Sequence, residues 1–490
     1  MKEIGKSRRH AKYEKHSYEL SVAQSSTRKT VTPAREQSVR QFQSINECDE
    51  QCDSADVLAP LDSRPNEVQR ERPPDWETIL SDPISRKWGG RIDYFKDYPI
   101  EMNIHFYGLM DHVYDTSVAK FKSGRDLWLP IVLADPAAFH QALALASLNL
   151  NFLRGARTVN VEAAAHHASA IKSVNERLMH PTLGITDEII GTIASFGCYY
   201  LMMENLSQWR VHIAGIRKII QLRGGLDSIR SNSSLRLVLL WIDVCGASAQ
   251  DITPSFPIPV DLITQFNEDF NYSQYLKGNF RLWTTVFPDQ PRAIEAFSDI
   301  SALSIILNNQ SSVRGFWESP MFVCQCLFPI AHKLLSLPRY DAASRATDAT
   351  LSVMLESCRH AALLYIVLVE QKFGVYLIPT EIQLAKLIAV LSLKENHDPN
   401  WRPFEVLRLW VVLIAWVCSY NASAKSNITT TSPSPSTDEW VAKELKTLFR
   451  VLQLRSVEDV LMAFSNLQLP WNDDVFYMPL ELFREILDQC

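Results

Sequence analysis

Residues Ser207 to Gly225 read SQWRVHIAGIRKIIQLRGG. Trp209, His212, Ile213, Ile216, Ile219 and Ile220 recur at three- and four-residue spacing, so the stretch predicts an amphipathic helix with one buried stripe. Ser207 stands where an N-cap belongs, and Gly224-Gly225 offers left-handed residues that end a helix without a Cβ clash. A second helix is expected from Ser233 or Ser234, with Leu235, Val238, Leu239 and Ile242 inward. Two helices closed by a short glycine turn make an αα-hairpin, which needs further helices over its remaining apolar surface. The expected fold is therefore all-α, a large domain of antiparallel helix pairs.

Composition agrees. Hydrophobic residues make up 47% of the 490 residues and charged residues 21%, with only 16 glycines. Long Leu- and Ala-rich runs favour helix over sheet. Residues 1–73 differ: they are polar and lack periodicity, which predicts a disordered N-terminal arm ahead of a helical domain over residues 74–490. The arm is basic up to Arg40 and acidic beyond it. Its cluster Lys6, Arg8, Arg9, Lys12 and Lys15 is a candidate nuclear-import signal or a weak DNA contact. The net charge of −6 gives no whole-chain sign of nucleic-acid binding.

Moving along the chain, Asp135-Pro136 reads as a helix start, and another helix runs from about Val161 to Leu178. Thr186-Asp187-Glu188 opens a strongly apolar one, and Pro254, Pro257 and Pro259 mark an extended crossing after the second hairpin helix. Later apolar-periodic runs include Met321 to Leu335, Leu351 to Leu368 and Phe404 to Tyr420. Residues 421–437, rich in Ser, Thr and Pro, are expected to form a mobile loop within the domain. The run Val406 to Cys418 is too short for a bilayer, which takes about 20 apolar residues. No apolar signal segment opens the chain, so no membrane role is expected.

Several motifs resemble the fungal-specific transcription factor domain of zinc-cluster-type regulators. They are Trp209, His212 and Gly215, then Arg223-Gly224-Gly225, then Trp241 and Asp243. Gly90-Arg91 with Asp93, Phe95 and Tyr98-Pro99 is similar to the family's entry loop, and Arg8-Arg9-His10-Ala11 to its basic N-terminal segment. The resemblance covers residues 85 to 260 well and 400 to 475 loosely. It implies a nuclear regulator whose partners are the transcriptional machinery or a DNA-binding protein; the alternatives are a helical scaffold with no transcriptional role, in the cytoplasm, and, further behind, an enzyme with a pocket between helices.

Chemistry is sparse. The six-cysteine zinc module of many family members needs C-x-x-C pairs, whereas this arm has only Cys48 and Cys52, and a closed zinc site takes four ligands. The resemblance is thus to members without the module. His105 and His112 could share a helical face with Asp115, and His166 and His167 point apart, but no H-E-x-x-H occurs. G-x-S-x-G and phosphate-loop motifs are missing too. Catalytic, metal and cofactor residues are accordingly expected to number none. Asp243, mid-helix, would need a partner if buried, and Arg217, Arg223 and Arg236 are the candidates.

Overall fold

The structure, a computed structural model, describes residues 97–114, 122–156, 158–263, 280–339, 349–375, 380–393, 401–426 and 435–476. Among these residues helices alternate with short joints and no strand occurs. The first half contains α1 (Ile104–Tyr114), α2 (Lys122–Ala134), α3 (Pro136–Leu153), α4 (Val161–Leu178), α5 (Asp187–Met202), α6 (Leu206–Leu222) and α7 (Ser233–Gln250). The second contains α8 (Arg281–Val286), α9 (Pro291–Gln310), the rod α10 over residues 320–335 and α11 (Ala349–Lys372). It closes with α12 (Glu381–Leu391), α13 (Glu405–Ser426), α14 (Pro435–Leu452) and α15 (Val457–Leu467).

Local chemistry sets many of these ends. Asp135 Oδ1 accepts the Ala138 amide at 3.0 Å, with Pro136 at the first helical position of α3. Thr186 caps α5, and Ser456 with Asp459 forms a capping box on α15. The cap of α6 departs from expectation: it is Asn205, whose Oδ1 accepts the Gln208 amide at 3.2 Å. Ser207 instead donates its hydroxyl to that same oxygen at 2.7 Å. Glu204, left-handed at φ 57°, turns the chain out of α5 so sharply that the cap falls two residues early.

Other differences are instructive. α2 runs from Lys122 to Ala134 with Pro130 inside it, ahead of the helix start expected at Asp135-Pro136. α13 continues to Ser426 and α14 starts at Pro435, so helix takes both ends of the expected 421–437 loop; residues 427–434 lie outside the described residues. Pro435 suits a first turn, where no amide partner is needed. In α10, Pro329 cannot donate to the carbonyl four residues back, and residues Val323–Leu327 widen into a π turn with Phe328 N–H bonded to Val323 O.

The helices pair antiparallel. Along α3 and α4, Asp135 meets Arg177, His140 meets His166 and Ser147 meets Glu162, so one sequence descends as the other climbs. α5 and α6 pair likewise, through Asp187 with Arg223 and Tyr200 with His212. The hairpin α6–α7 forms as expected, yet α6 lies most extensively against α5. The reason is the three-residue joint between α5 and α6, against the ten residues that separate α6 from α7.

One hydrophobic core runs from Leu109 to Phe476. Thr350–Lys372 in α11 is long and apolar enough to cross a bilayer, but its most apolar window is 94% buried inside the domain. It is a core helix, and so is the shorter apolar run of α13, buried from Leu407 to Cys418.

Candidate functional site

Trp209 is 1% exposed and donates its indole N–H to Ile242 O at 3.2 Å, locking α6 onto α7. Gly246, one turn further along α7, has no room for a side chain: an added Cβ would fall inside the Trp209 ring. Gly197 of α5 flanks the other side. His212 stacks on Tyr200 at 5.2 Å, and burial pushes its pKa down to about 3, so it is a neutral packing residue. His167 is similarly neutral at about 3, donating Nδ1–H to Gln141 at 2.8 Å and facing the Tyr200 hydroxyl. Gly215 is buried in the same face of α6.

The turn after α6 is a two-bond glycine cap. Gly225 N–H donates to Ile220 O at 2.9 Å and Gly224 N–H to Gln221 O at 3.1 Å, with φ +106° and +98°. Arg223 then reaches two ways, to Asp187 Oδ1 at 2.5 Å and to Ser228 O at 2.8 Å. It binds the turn to the N-terminus of α5.

Trp241 is buried in α7. Asp243, 1% exposed, meets the arginine expectation only in part: the charge of Arg217 favours its ionised form, but no arginine hydrogen-bonds it. Its Oδ2 accepts the amides of Ser255 at 2.6 Å and Phe256 at 2.8 Å. The proline-rich crossing folds back over α7, so backbone donors arrive where a guanidinium was expected. Arg223 is held by Asp187 and Arg236 by the exposed Asp261. Burial pushes the Asp243 carboxyl up to about 6, against the pull of the two amides.

Beside this crossing lies a cleft of about 240 Å³. Leu226, Ile229, Leu240 and Phe256 form its apolar wall, and Asp227, Arg230 and the Arg236–Asp261 pair its rim. Enclosed ligand sites usually measure about 300–1,000 Å³. This one suits a side chain or two of a partner, and Val260 stands 65% exposed nearby. A second cleft of about 500 Å³, between α9 and Trp471–Asp473, is more polar.

A third feature escaped the sequence reading. Arg359 of α11, 0% exposed, lies between Asp251 at 2.6 Å and Glu356 at 2.6 Å. Lys386 of α12 reaches Asp251 at 2.8 Å, and Arg339 Nε stands 3.4 Å away. His360 donates Nδ1–H to Gln383, which donates to Ser248 O at 2.6 Å. Against the cost of burial, Arg359 holds the Asp251 carboxyl well below its usual range and Glu356 down to about 2. The cluster joins α7, α11 and α12. A signal existed, since Glu356, Arg359 and His360 interrupt an otherwise apolar run at helical spacing. Asp251, Glu356 and His360 also place three ligand-type atoms within 4.8 Å of one another. Arg359 fills the space between the carboxylates, so the arrangement is a structural tether and a poor cation cage.

Among the described residues no cysteine is an activated nucleophile. Burial pushes the thiols of Cys198, Cys245, Cys326 and Cys358 up, and that of Cys324 up to about 12. Tyr98, of the entry loop, packs against Tyr107 and Phe139 as that loop requires. Phe95, Asp115, Cys48, Cys52 and the basic cluster Lys6, Arg8, Arg9, Lys12 and Lys15 lie outside the described residues.

A family model described as the fungal specific transcription factor domain matches residues 103–430, about two thirds of the chain. The chain belongs to that family. No curated protein and no solved structure matches it. The family is one of transcription factor domains, not a class of enzymes.

Proposed function

We propose that this chain is a transcriptional regulator that works through protein contacts on its helical surface. Family membership over residues 103–430 carries the reading. The small apolar cleft with a charged rim supports it, because such a site suits a protruding side chain of a partner. The partner is part of the transcriptional machinery or a DNA-binding regulator. Lys6, Arg8, Arg9, Lys12 and Lys15 supply nuclear import and a weak, salt-sensitive DNA contact.

Two measurements on the tagged protein test this. The intact chain accumulates in the nucleus, replacing the five basic residues by Ala spreads it through the cell, and deleting the gene changes a defined set of transcripts. Exclusion of the intact chain from the nucleus, with transcripts unchanged on deletion, would favour a cytoplasmic helical scaffold.

A further inference from the structure

Where α1 meets the α3–α4 pair, metal-ligating side chains gather away from every feature described so far. The antiparallel pairing sets His140 of α3 opposite His166 of α4, with their Nδ1 atoms 3.1 Å apart. Glu162 lies one turn before His166 on the same face of α4, and His105 of α1 holds its Oε1. Glu162 Oε2 accepts the Ser147 hydroxyl at 2.8 Å. Phe106 packs edge-on against the His166 ring at 4.9 Å and walls one side.

We propose that His140 and His166, completed by the carboxylate of Glu162, bind a divalent transition ion, zinc first. The spacing is the main argument. Two nitrogens about 2.05 Å from one zinc and in a tetrahedral arrangement stand roughly 3.3 Å apart, close to the separation of these two. Imidazole and carboxylate together suit zinc better than calcium or magnesium, which take oxygen ligands alone. Without an ion the two rings share a hydrogen bond, one carrying its proton on Nδ1; metal binding moves that proton to Nε2 and leaves both Nδ1 lone pairs free to ligate. His140 and Glu162 are only part-buried, which leaves an entry path.

The carboxylate does not yet stand within 4.8 Å of both imidazoles. Binding exchanges its Ser147 hydrogen bond for coordination, while His105 stays on the other oxygen as the outer partner that orients a ligand. An ion there would tie α3 to α4, with α1 held at one remove through the His105 contact to Glu162.

The test is zinc titration of the full-length, chelator-stripped protein by calorimetry, with cobalt absorption as a second readout. One ion per chain is expected. His140→Gln, His166→Gln and Glu162→Gln should each weaken binding by at least roughly 10–100-fold, the cost of losing even an outer partner of a ligand. The double variant Cys48→Ser/Cys52→Ser should bind as wild type does. X-ray absorption of the zinc-loaded wild type needs no variant, and should show imidazole and oxygen scattering without sulfur. Sulfur in the inner shell, no stoichiometric binding, or binding unchanged in both histidine variants would overturn the proposal.

Discussion

Asp243 shows how a single buried acid can be held by backbone alone. Asp243→Ala leaves the Ser255 and Phe256 amides without an acceptor in a closed interior, at a cost of about 2–4 kcal/mol. Asp243→Asn keeps an acceptor oxygen and should cost less than about 1 kcal/mol at neutral pH. Denaturant unfolding of the two variants measures the contrast. Equal losses would mean that the charge, not the pair of amides, matters. Glu370 of α11 is a different case. It is 1% exposed, both carboxylate oxygens lack a partner, and burial pushes its pKa to about 8. Its folded value therefore exceeds its ordinary 4.5. The proton it holds favours the folded state fully below about pH 4.5, and that contribution is lost as pH rises to about 8, at about 1.4 kcal/mol per unit. Glu370→Gln should flatten the stability profile between those limits and raise the melting temperature most at pH 8. A profile of unchanged slope would contradict the assignment.

At the scale of the element, the helix ends were readable from sequence because caps are local. Asp135, Thr186 and the glycine pair after α6 act within a few residues of themselves. What sequence could not show was which face of α6 meets which neighbour. Its motif residues look alike in the sequence, yet Trp209 points at α7, His212 at α5 and Arg223 at the first turn of α5. Gly246 was passed over for the same reason, since its importance comes from a ring 37 residues away, the difference between positions 209 and 246. Gly246→Ala should cost at least about 3 kcal/mol, the upper end of ordinary overpacking, because the indole cannot retreat. Gly225→Ala meets no atom and should cost only backbone strain, about 1–3 kcal/mol. Thermal unfolding of the pair, with Trp209→Phe added to Gly246→Ala as a partial rescue, separates crowding from strain.

Across the whole molecule, the cluster around Arg359 ties together parts of the chain that are 108 and 135 residues apart. Glu356, Arg359 and His360 on an otherwise apolar helix hint at a buried polar partner, but nothing local says that the partner is Asp251. Asp251→Ala would leave Arg359 buried without one of its two carboxylates, at a cost of about 3–5 kcal/mol. The loss should appear as a lower single melting transition, because α7, α11 and α12 share one core. An early, separate transition would mean that the two halves of the domain unfold independently.

The fold class and the family were legible because helical periodicity and the hairpin motifs are dense between residues 103 and 260. The clefts and the charge tether were not, since each depends on long-range packing. The most direct test of the regulatory reading is chromatin profiling of the tagged, full-length protein beside transcripts from intact and deleted strains. Occupancy concentrated at genes whose transcripts change on deletion is the predicted result. Occupancy no different from an untagged strain, with those transcripts still changed, would contradict action at the genes themselves.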